Sequence, residues 1–119
     1  MREILFRGKT FCDGDWVYGS ITWNPSRKKF FIHTDWEEAK VIPETVGQYT
    51  GLTDKNGTKI FEGDILHAAQ GNFVVRWSES ICSFVAGEKE RMRPCMNSGT
   101  MNCCEVIGNI FDNSETIRN

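Results

Sequence analysis

Cysteine and histidine side chains are the groups in this chain that are able to hold a metal ion. There are five cysteines and two histidines, and thiolates and imidazoles are the usual ligands of zinc. A four-ligand set would join His33 or His67 to Cys95, Cys103 and Cys104. However, no Cys-x-x-Cys pair occurs, and two adjacent cysteines cannot easily direct both thiolates at one tetrahedral ion. The favoured interpretation is that the thiols are reduced and structural, and we expect neither a metal nor a cofactor.

Acid and amide groups that could bind calcium cluster in the segment Gly47–Asp64. They are Asp54, Asn56, Glu62 and Asp64. An EF-hand loop requires glycine at its sixth position and glutamate at its twelfth, but counting from Asp54 these positions hold Lys59 and Ile65. Because Asp and Asn side chains bond nearby backbone amides in turns, a structural role is favoured. The predicted structural turn residues are Gly47, Gly51, Asp54, Asn56, Gly57, Gly63, Asp64 and Gly108.

Catalytic arrangements are not indicated by the sequence. Both histidines lie in predicted strands, and no nucleophile motif accompanies them. No glycine-rich loop joins a strand to a helix, so a phosphate-binding loop is not predicted. We therefore expect no catalytic residues and interpret the protein as a non-enzyme.

Cationic residues beside aromatic ones form the candidate binding surfaces. Small β-barrels bind single-stranded nucleic acids by stacking bases on exposed aromatic rings next to basic groups, and exposed aromatic residues also anchor protein partners. One such group surrounds the hairpin tip Arg27–Lys29. A different candidate surface, without aromatic residues, is the irregular stretch Gly87–Asn102, where methionines would suit an adaptable contact surface. The alternative is that the aromatic residues fill the core and that the tip is an ordinary charged turn. The candidate binding residues are Trp23, Arg27, Lys28, Lys29, Trp36, Arg91, Met92 and Arg93.

Charge and apolar patterning favour some classes of protein over others. The net charge of -2 lacks the basic excess that usually marks sequence-independent nucleic-acid binding, so a protein partner is favoured over nucleic acid. The odd number of cysteines and the absence of an apolar leader in Met1–Arg7 argue against a secreted disulfide scaffold. No apolar run approaches the ~18–20 residues that span a bilayer. We expect a cytoplasmic protein with reduced thiols and no membrane contact.

Short apolar runs with period two, separated by turn residues, predict about eight strands at intervals of ~8–12 residues. The N-terminal ones are a first strand at residues 3–7 and a hairpin that joins 16–23 to 29–34. Residues 35–40 are predicted to form one helical turn with Asp35 as its N-cap. The later strands are 46–50, 59–62, 65–69, 73–77, 81–86 and 105–111, with an Asn-Gly hairpin turn at 54–57.

This pattern of strands is typical of a small barrel or sandwich. It predicts a mainly β fold with few short helical turns. Residues 1–45 are expected to form an N-terminal β subdomain, a hairpin with a sheet extension. Residues 46–119 are expected to form an SH3-like barrel, and both parts are expected to share one compact unit.

Three blocks of the sequence resemble the YopX protein family. The longest block runs from Thr45 to Ile65, and shorter blocks at residues 2–7 and 105–112 flank it in the order seen in the family. The resemblance implies a small protein of bacteriophage or prophage origin with a mainly β fold, whose C-terminal part is an SH3-type barrel. It implies no reaction, so no catalytic residue is carried over.

The residues and the resemblance together predict a non-enzymatic, phage-type accessory protein in the cytoplasm of a bacterial host cell. We expect a protein-interaction module, with a homo-oligomer as one form of that interaction. The alternative is an accessory factor that binds nucleic acid. Contacts specific to this protein are expected outside the YopX-like blocks, on the hairpin 16–34 and the stretch 87–102.

Overall fold

Antiparallel β-strands account for most of the described chain. The computed structural model describes residues 3–69, 71–80, 82–86, 100–101 and 104–113. Within these ranges there is one short 3-10 helix, Pro43–Thr45, and no α-helix. The strands are β1 (Phe6–Lys9), β2 (Trp16–Asn24), β3 (Lys29–His33), β4 (Glu38–Lys40), β5 (Gly47–Asp54), β6 (Lys59–Phe61), β7 (Asp64–Ala68), β8 (Gly71–Ser78), β9 (Ser83–Ala86), β10 (Thr100–Met101) and β11 (Glu105–Asn109). The mainly β class predicted from the sequence is therefore confirmed.

The chain divides into two units, Met1–Tyr49 and Thr50–Asn119. The boundary falls within β5, so this strand begins in the first unit and ends in the second. The boundary expected from the sequence was between residues 45 and 46.

The first unit is built on a long strand, β2, that changes partner midway. Its first half pairs with β1 as far as Gly19, and its second half pairs with β3 from Ser20 onward. A side chain at position 19 would collide with the carbonyl oxygen of His33. Glycine therefore allows the two strands to meet closely where the exchange of partners takes place. β3 pairs in turn with β4.

Backbone hydrogen bonds also join the residues at the end of β4 to the residues at the end of β1. An antiparallel bridge joins Thr10 to Val41. Phe11 N donates to Lys40 O at 3.0 Å, and Ile42 N donates to Lys9 O at 2.9 Å. The path β1–β2–β3–β4 therefore closes on itself as a ring of four strands.

The interior of the strand ring is apolar. Ile32 and Val41 are almost fully buried, and Gly8 faces both, because a Cβ at that position would lie 3.2 Å from each of them. Successive side chains of a strand point to opposite faces. The residues that follow or precede these inward positions, such as Lys9 and Lys40, therefore lie on the outer face of the ring.

The prediction of a helical turn at residues 35–40 is wrong. The second half of this segment is strand β4, in which Ala39 is buried and lies opposite Ile32. The turn before it is formed by Thr34 and not by an Asp35 cap. A single helical turn is only marginally stable, so pairing with β3 determines the conformation.

The first strand also differs from the prediction. It begins at Phe6 rather than at Glu3 and continues through Gly8 to Lys9. Ile4, which lies within the predicted strand, is 74% exposed. The close packing of Gly8 inside the ring explains why the strand passes through this glycine rather than ending there.

The second unit contains a four-stranded antiparallel sheet in the order β11–β7–β8–β9. In addition, β5 pairs with β6 and, in parallel orientation, with β10. The buried residues of the core cluster are Ile60, Leu66, Val75, Ala86 and Cys104. The Cys104 thiol thus behaves as a small hydrophobic group within this core. The more detailed description of residues 46–119 as an SH3-like barrel stays a prediction.

Candidate binding surfaces

Trp36 is held outward by a tight turn at the end of β3. Thr34 Oγ1 accepts hydrogen bonds from Trp36 N at 3.1 Å and from Glu37 N at 3.0 Å. Thr34 N donates to Glu37 O at 2.8 Å. The backbone around Trp36 is therefore fixed, while its side chain is 92% exposed. A large aromatic side chain presented in this way is typical of an interface anchor.

A groove of about 480 Å³ lies beside this tryptophan, and we name it the Trp36 groove. Its apolar and aromatic lining residues are Ile4, Leu5, Tyr18 and Trp36. Its polar or small lining residues are Glu3, Gly19, Ser20, His33, Thr34 and Asp35. Binding sites for small ligands typically measure roughly 300–1,000 Å³. The groove is therefore large enough for a few side chains of a peptide.

The Trp36 groove carries negative charge. Glu3 and Asp35 line it, and none of its described lining residues is a lysine or an arginine. The His33 imidazole, which also lines the groove, is engaged by its neighbours: its Nε2 lies 2.9 Å from Thr22 Oγ1 and 3.3 Å from the Glu38 carboxylate. Acidic groups beside aromatic walls are complementary to a segment with cationic and apolar side chains.

The predicted binding residues near the hairpin tip do not join Trp36 in one site. The tip, Arg27–Lys29, lies at the N-terminal end of β3, whereas Trp36 follows its C-terminal end. Trp23 lies near the tip, where it is half-exposed and packs against Phe30 across the strands, with 4.9 Å between ring centroids. The structure therefore separates the two predicted tryptophans.

The charged residues of the hairpin tip make specific contacts. Arg27 N donates to Asn24 Oδ1 at 3.1 Å, which closes the turn. The Arg27 guanidinium lies 5.3 Å from the centre of the Phe31 ring and 3.9 Å from the Glu38 carboxylate. Lys28 adopts a positive φ of 55°, and both it and Lys29 are exposed. The tip is thus a cationic loop whose arginine folds back over an aromatic ring.

Further cations cover aromatic rings on the outer face of the strand ring. Lys40 Nζ lies 4.3 Å and Lys29 Nζ 5.9 Å from the centre of the Phe11 ring. Lys9 Nζ lies 5.4 Å from the centre of the Trp16 ring, and the guanidinium carbon of buried Arg7 lies 4.5 Å from it. We name this surface the basic band. Its members are Lys9, Phe11, Trp16, Arg27, Lys29, Lys40 and, buried beneath the Arg27 guanidinium, Phe31.

Strand register makes the basic band continuous. Lys9 lies opposite Trp16 in the β1–β2 pair, and Lys40 is joined to Phe11 by a backbone hydrogen bond. Lys40 also lies opposite Phe31 in the β3–β4 pair. The band therefore passes over all four strands of the ring.

Sequence reasoning found only Arg27 and Lys29 of this band. The remaining members come from β1, the turn after it, the start of β2, β3 and β4, and no local pattern connects them. Arg7 and Lys9 are two positions apart on β1, and this spacing indicates that both charged side chains lie on one face of the strand. It did not show which aromatic rings these cations meet.

Asp54 connects the predicted hairpin turn to β11. Its carboxylate is 1% exposed, and Oδ1 accepts from Asn56 N at 2.8 Å and Thr58 N at 2.9 Å. Oδ2 accepts from Val106 N at 2.9 Å. Burial by itself would raise the pKa of this carboxyl group, but the three amide donors outweigh burial and leave the pKa below its ordinary value. The turn requires a positive φ at Gly57, which is 83°.

A second buried aspartate closes the next corner. Asp64 Oδ2 accepts a hydrogen bond from Phe61 N at 2.7 Å. Gly63 lies between these two residues in the corner and has a φ of 93°. Asp64 is 2% exposed, so this side chain has a structural position and does not face a ligand in solvent.

The other predicted turn glycines lie within strands. Gly47 begins β5 and pairs with Arg7. Gly51 has a φ of 90°, but β5 continues through it to Asp54, whereas the predicted strand ended at residue 50. Gly108 lies in β11 next to a register shift, where a Cβ would come within 2.5 Å of Asn113 Oδ1.

Two of the proposed zinc ligands, Cys95 and Cys103, lie outside the described residues. His67 Nδ1 lies 2.8 Å from Asn72 Oδ1, and Cys104 lies in the core. In the part of the chain that the structure describes, no three His, Cys, Asp or Glu residues come together as metal ligands would.

Some other expectations also concern residues outside the described ranges. The binding candidates Arg91, Met92 and Arg93 are among these residues. Within the described ranges, no helix is long and apolar enough to cross a membrane.

Comparison with known proteins identifies one family. The family model described as YopX protein matches residues 8–118, nearly the whole chain. The longest of the three resembling blocks and the C-terminal block lie inside this range, and the N-terminal block precedes it. No curated protein matches the chain.

Proposed function

The chain belongs to the YopX protein family, and from that premise we propose that it is a non-catalytic protein-interaction module. Its Trp36 groove docks an extended segment of a partner protein. The observation that carries this proposal is the 92% exposed ring of Trp36 on a backbone fixed by Thr34. Exposure of so large an aromatic ring has no structural benefit for the isolated chain, because its apolar surface stays in water.

The proposed protein is an accessory factor derived from a phage or prophage, and it works in the cytoplasm of a bacterial host. The support for this origin is the family resemblance of the three sequence blocks. A binding role without catalysis agrees with the residues of the groove, where His33 is held between Thr22 and Glu38.

Charge identifies the chemistry of the partner segment. Because Glu3 and Asp35 line the groove beside Tyr18 and Trp36, the segment should carry lysine or arginine next to apolar residues. Aromatic-lined grooves also bind proline-rich segments in the polyproline II conformation, which lose little entropy on binding. We therefore propose a cationic, extended segment as the occupant.

Binding should depend strongly on Trp36. Tryptophan residues that become buried at the centre of an interface commonly contribute about 2 kcal/mol or more. For Trp36→Ala we expect at least about a tenfold loss of affinity, since about 1.4 kcal/mol corresponds to a factor of ten. Folding stability should change little, because the side chain is already exposed in the free protein.

The test is selection from a randomised peptide library, followed by calorimetric titration of the selected peptides. We expect selected peptides to be cationic and to bind Trp36→Ala at least about tenfold more weakly than the unmodified protein. Trp23→Ala is the matched control, because Trp23 is also exposed but lies near the hairpin tip. Equal loss in both variants, or peptides that are acidic, would contradict the proposal.

A further inference from the structure

We propose that the basic band is a second binding site, which takes single-stranded nucleic acid. Lysine ammonium groups of the band would contact phosphates, and the ring of Phe11 would stack on a base. This inference rests on residues outside the Trp36 groove and does not depend on the proposed docking of a peptide.

The first argument is the separation of charge within the first unit. The overall charge of -2 argued against nucleic-acid binding, but Glu3 and Asp35 line the Trp36 groove and not the band. Among the described residues, the side chains of Lys29 and Lys40 contact the Phe11 ring and no carboxylate. The band is therefore locally cationic, and local potential rather than net charge attracts a polyanion.

Acidic groups near the band have other interactions. Glu38 lies 3.9 Å from the Arg27 guanidinium. The Asp13 carboxylate accepts hydrogen bonds from the Thr10 hydroxyl and from Asp15 N, which close the turn after β1. These acids reduce the attraction without removing it. We therefore expect weak binding, of the order of 10⁻⁴ M at physiological salt, as is typical of non-specific nucleic-acid contacts.

The second argument is the interleaving of cations and rings. The Lys40 ammonium lies 4.3 Å from the centre of the Phe11 ring, whose side chain is half-exposed. An exposed cation–π contact is worth only about 0.5–1 kcal/mol, so it is readily exchanged. An approaching phosphate would draw the ammonium groups away, and a base would then occupy the ring face.

Aromatic stacking determines that the ligand is single-stranded. Every base offers a π face, and stacking on a protein ring contributes about 1–3 kcal/mol per base. Bases within a duplex are already stacked on one another and do not present that face. A duplex of the same length would therefore use only the lysines of the band, and we expect it to bind more weakly.

The test is fluorescence anisotropy with labelled oligo(dT) and oligo(U) of about 20 nucleotides, enough to cover one site, at about 50 mM salt and above. We expect binding that weakens with salt. Lys40→Gln should reduce the magnitude of the slope of log K against log salt by about 0.7, the value for one phosphate contact on a single strand. Phe11→Leu should weaken binding by roughly 5- to 160-fold, which corresponds to a stacking contribution of about 1–3 kcal/mol.

Matched control variants show whether the oligonucleotide binds at the basic band. Lys55→Gln removes an exposed lysine of the second unit and should leave binding unchanged. Trp36→Ala should also bind normally, so failure of the groove and failure of the band are distinguishable. Heparin, a polyanion without bases, is the control for charge alone. We expect the Phe11→Leu substitution to leave heparin binding unchanged, because heparin has no base to stack on the ring. The inference would be overturned by undetectable oligonucleotide binding at low salt, by an unaffected Phe11→Leu variant, or by duplex binding as tight as that of single strands.

Discussion

At the scale of single residues, two short polar side chains fix two turns. One turn presents Trp36 to solvent, and the other joins a hairpin to β11. Thr34 accepts two amide hydrogen bonds and so presents Trp36 to solvent. Asp54 accepts three and joins a hairpin turn to β11. In both cases an oxygen acceptor satisfies backbone donors that the adjoining strands leave unpaired, and these bonds fix the conformation of the turn.

The lowered pKa of Asp54 leads to a pH-dependent prediction. A carboxyl group whose pKa is lower in the folded state stabilises the fold above its unfolded pKa of about 3.9. That contribution is lost as the pH falls through the folded-state value. Asp54→Asn should lower the free energy of unfolding at pH 7 by about 1–3 kcal/mol, because the amide nitrogen cannot accept a hydrogen bond from Val106 N. At pH 3 the difference between the two proteins should be smaller.

Urea denaturation at the two pH values measures the Asp54→Asn effect directly. Asp35→Asn is the control, since Asp35 is exposed and its substitution should change stability by no more than about 0.5 kcal/mol. A difference for Asp54→Asn that is as large at pH 3 as at pH 7 would show that its charge contributes nothing.

At the scale of elements, the first unit depends on the exchange of partners along β2. The strand leaves β1 after Gly19 and joins β3 at Ser20, and the bridge between Thr10 and Val41 then closes the ring. A closed ring leaves fewer exposed strand edges, which are a source of aggregation. It also places the groove-lining residues Tyr18 and His33 on neighbouring strands.

Substitution of Gly19 should therefore be costly. A Cβ at this position meets the carbonyl oxygen of His33, which belongs to the backbone and cannot rotate away. We expect Gly19→Ala to lower the free energy of unfolding by about 3 kcal/mol, the upper end of the range for overpacking. Gly8→Ala is the comparison, because its Cβ would meet side chains of Ile32 and Val41 at 3.2 Å.

The Gly8→Ala comparison decides whether the backbone collision matters. Side chains can shift by a few tenths of an ångström, so we expect a cost of only about 1 kcal/mol for that variant. Thermal and urea denaturation of both variants give the two values. If Gly8→Ala is as destabilising as Gly19→Ala, general crowding in the ring and not the partner exchange would account for the loss.

At the scale of the whole molecule, the distribution of charge over the surface determines which ligands are attracted more than the net charge does. The first unit combines a groove lined by acidic residues with a band of lysines, although the chain carries only -2 overall. Opposite local potentials attract ligands of opposite charge. A single small protein is thereby able to present one surface to a cationic peptide and another to a polyanion.

Two separate surfaces should bind independently. In the presence of a saturating cationic peptide, affinity for oligo(dT) should change by less than about twofold, because ligands at distinct sites couple only through a change of the protein. Anisotropy titrations with and without the peptide measure this coupling. The cationic peptide also associates directly with oligo(dT), so that association is measured without protein and subtracted. Competition that remains would indicate one shared surface and would contradict the separation of groove and band.

Local patterns were sufficient to predict most strands and the hairpin turn at 54–57. Alternating apolar residues identify strands from sequence neighbours alone, and the Asn-Gly pair supplies the positive φ of the turn within four residues. The segment 35–40 was mispredicted because its conformation depends on pairing of Ala39 with β3, which is not encoded in neighbouring residues. Trp36 was selected as a binding candidate, but its groove was not foreseen.

The sequence by itself determined the mainly β class and the YopX resemblance, since both depend on the order and type of residues along the chain. Only the tertiary structure decided which residues form a surface. The basic band joins Lys9, Lys29 and Lys40, which are brought together by the pairing of β3 with β4 and by the bridge of Thr10 to Val41. Such long-range pairing depends on the register of whole strands and on packing around Gly8 and Gly19, which no local pattern specifies.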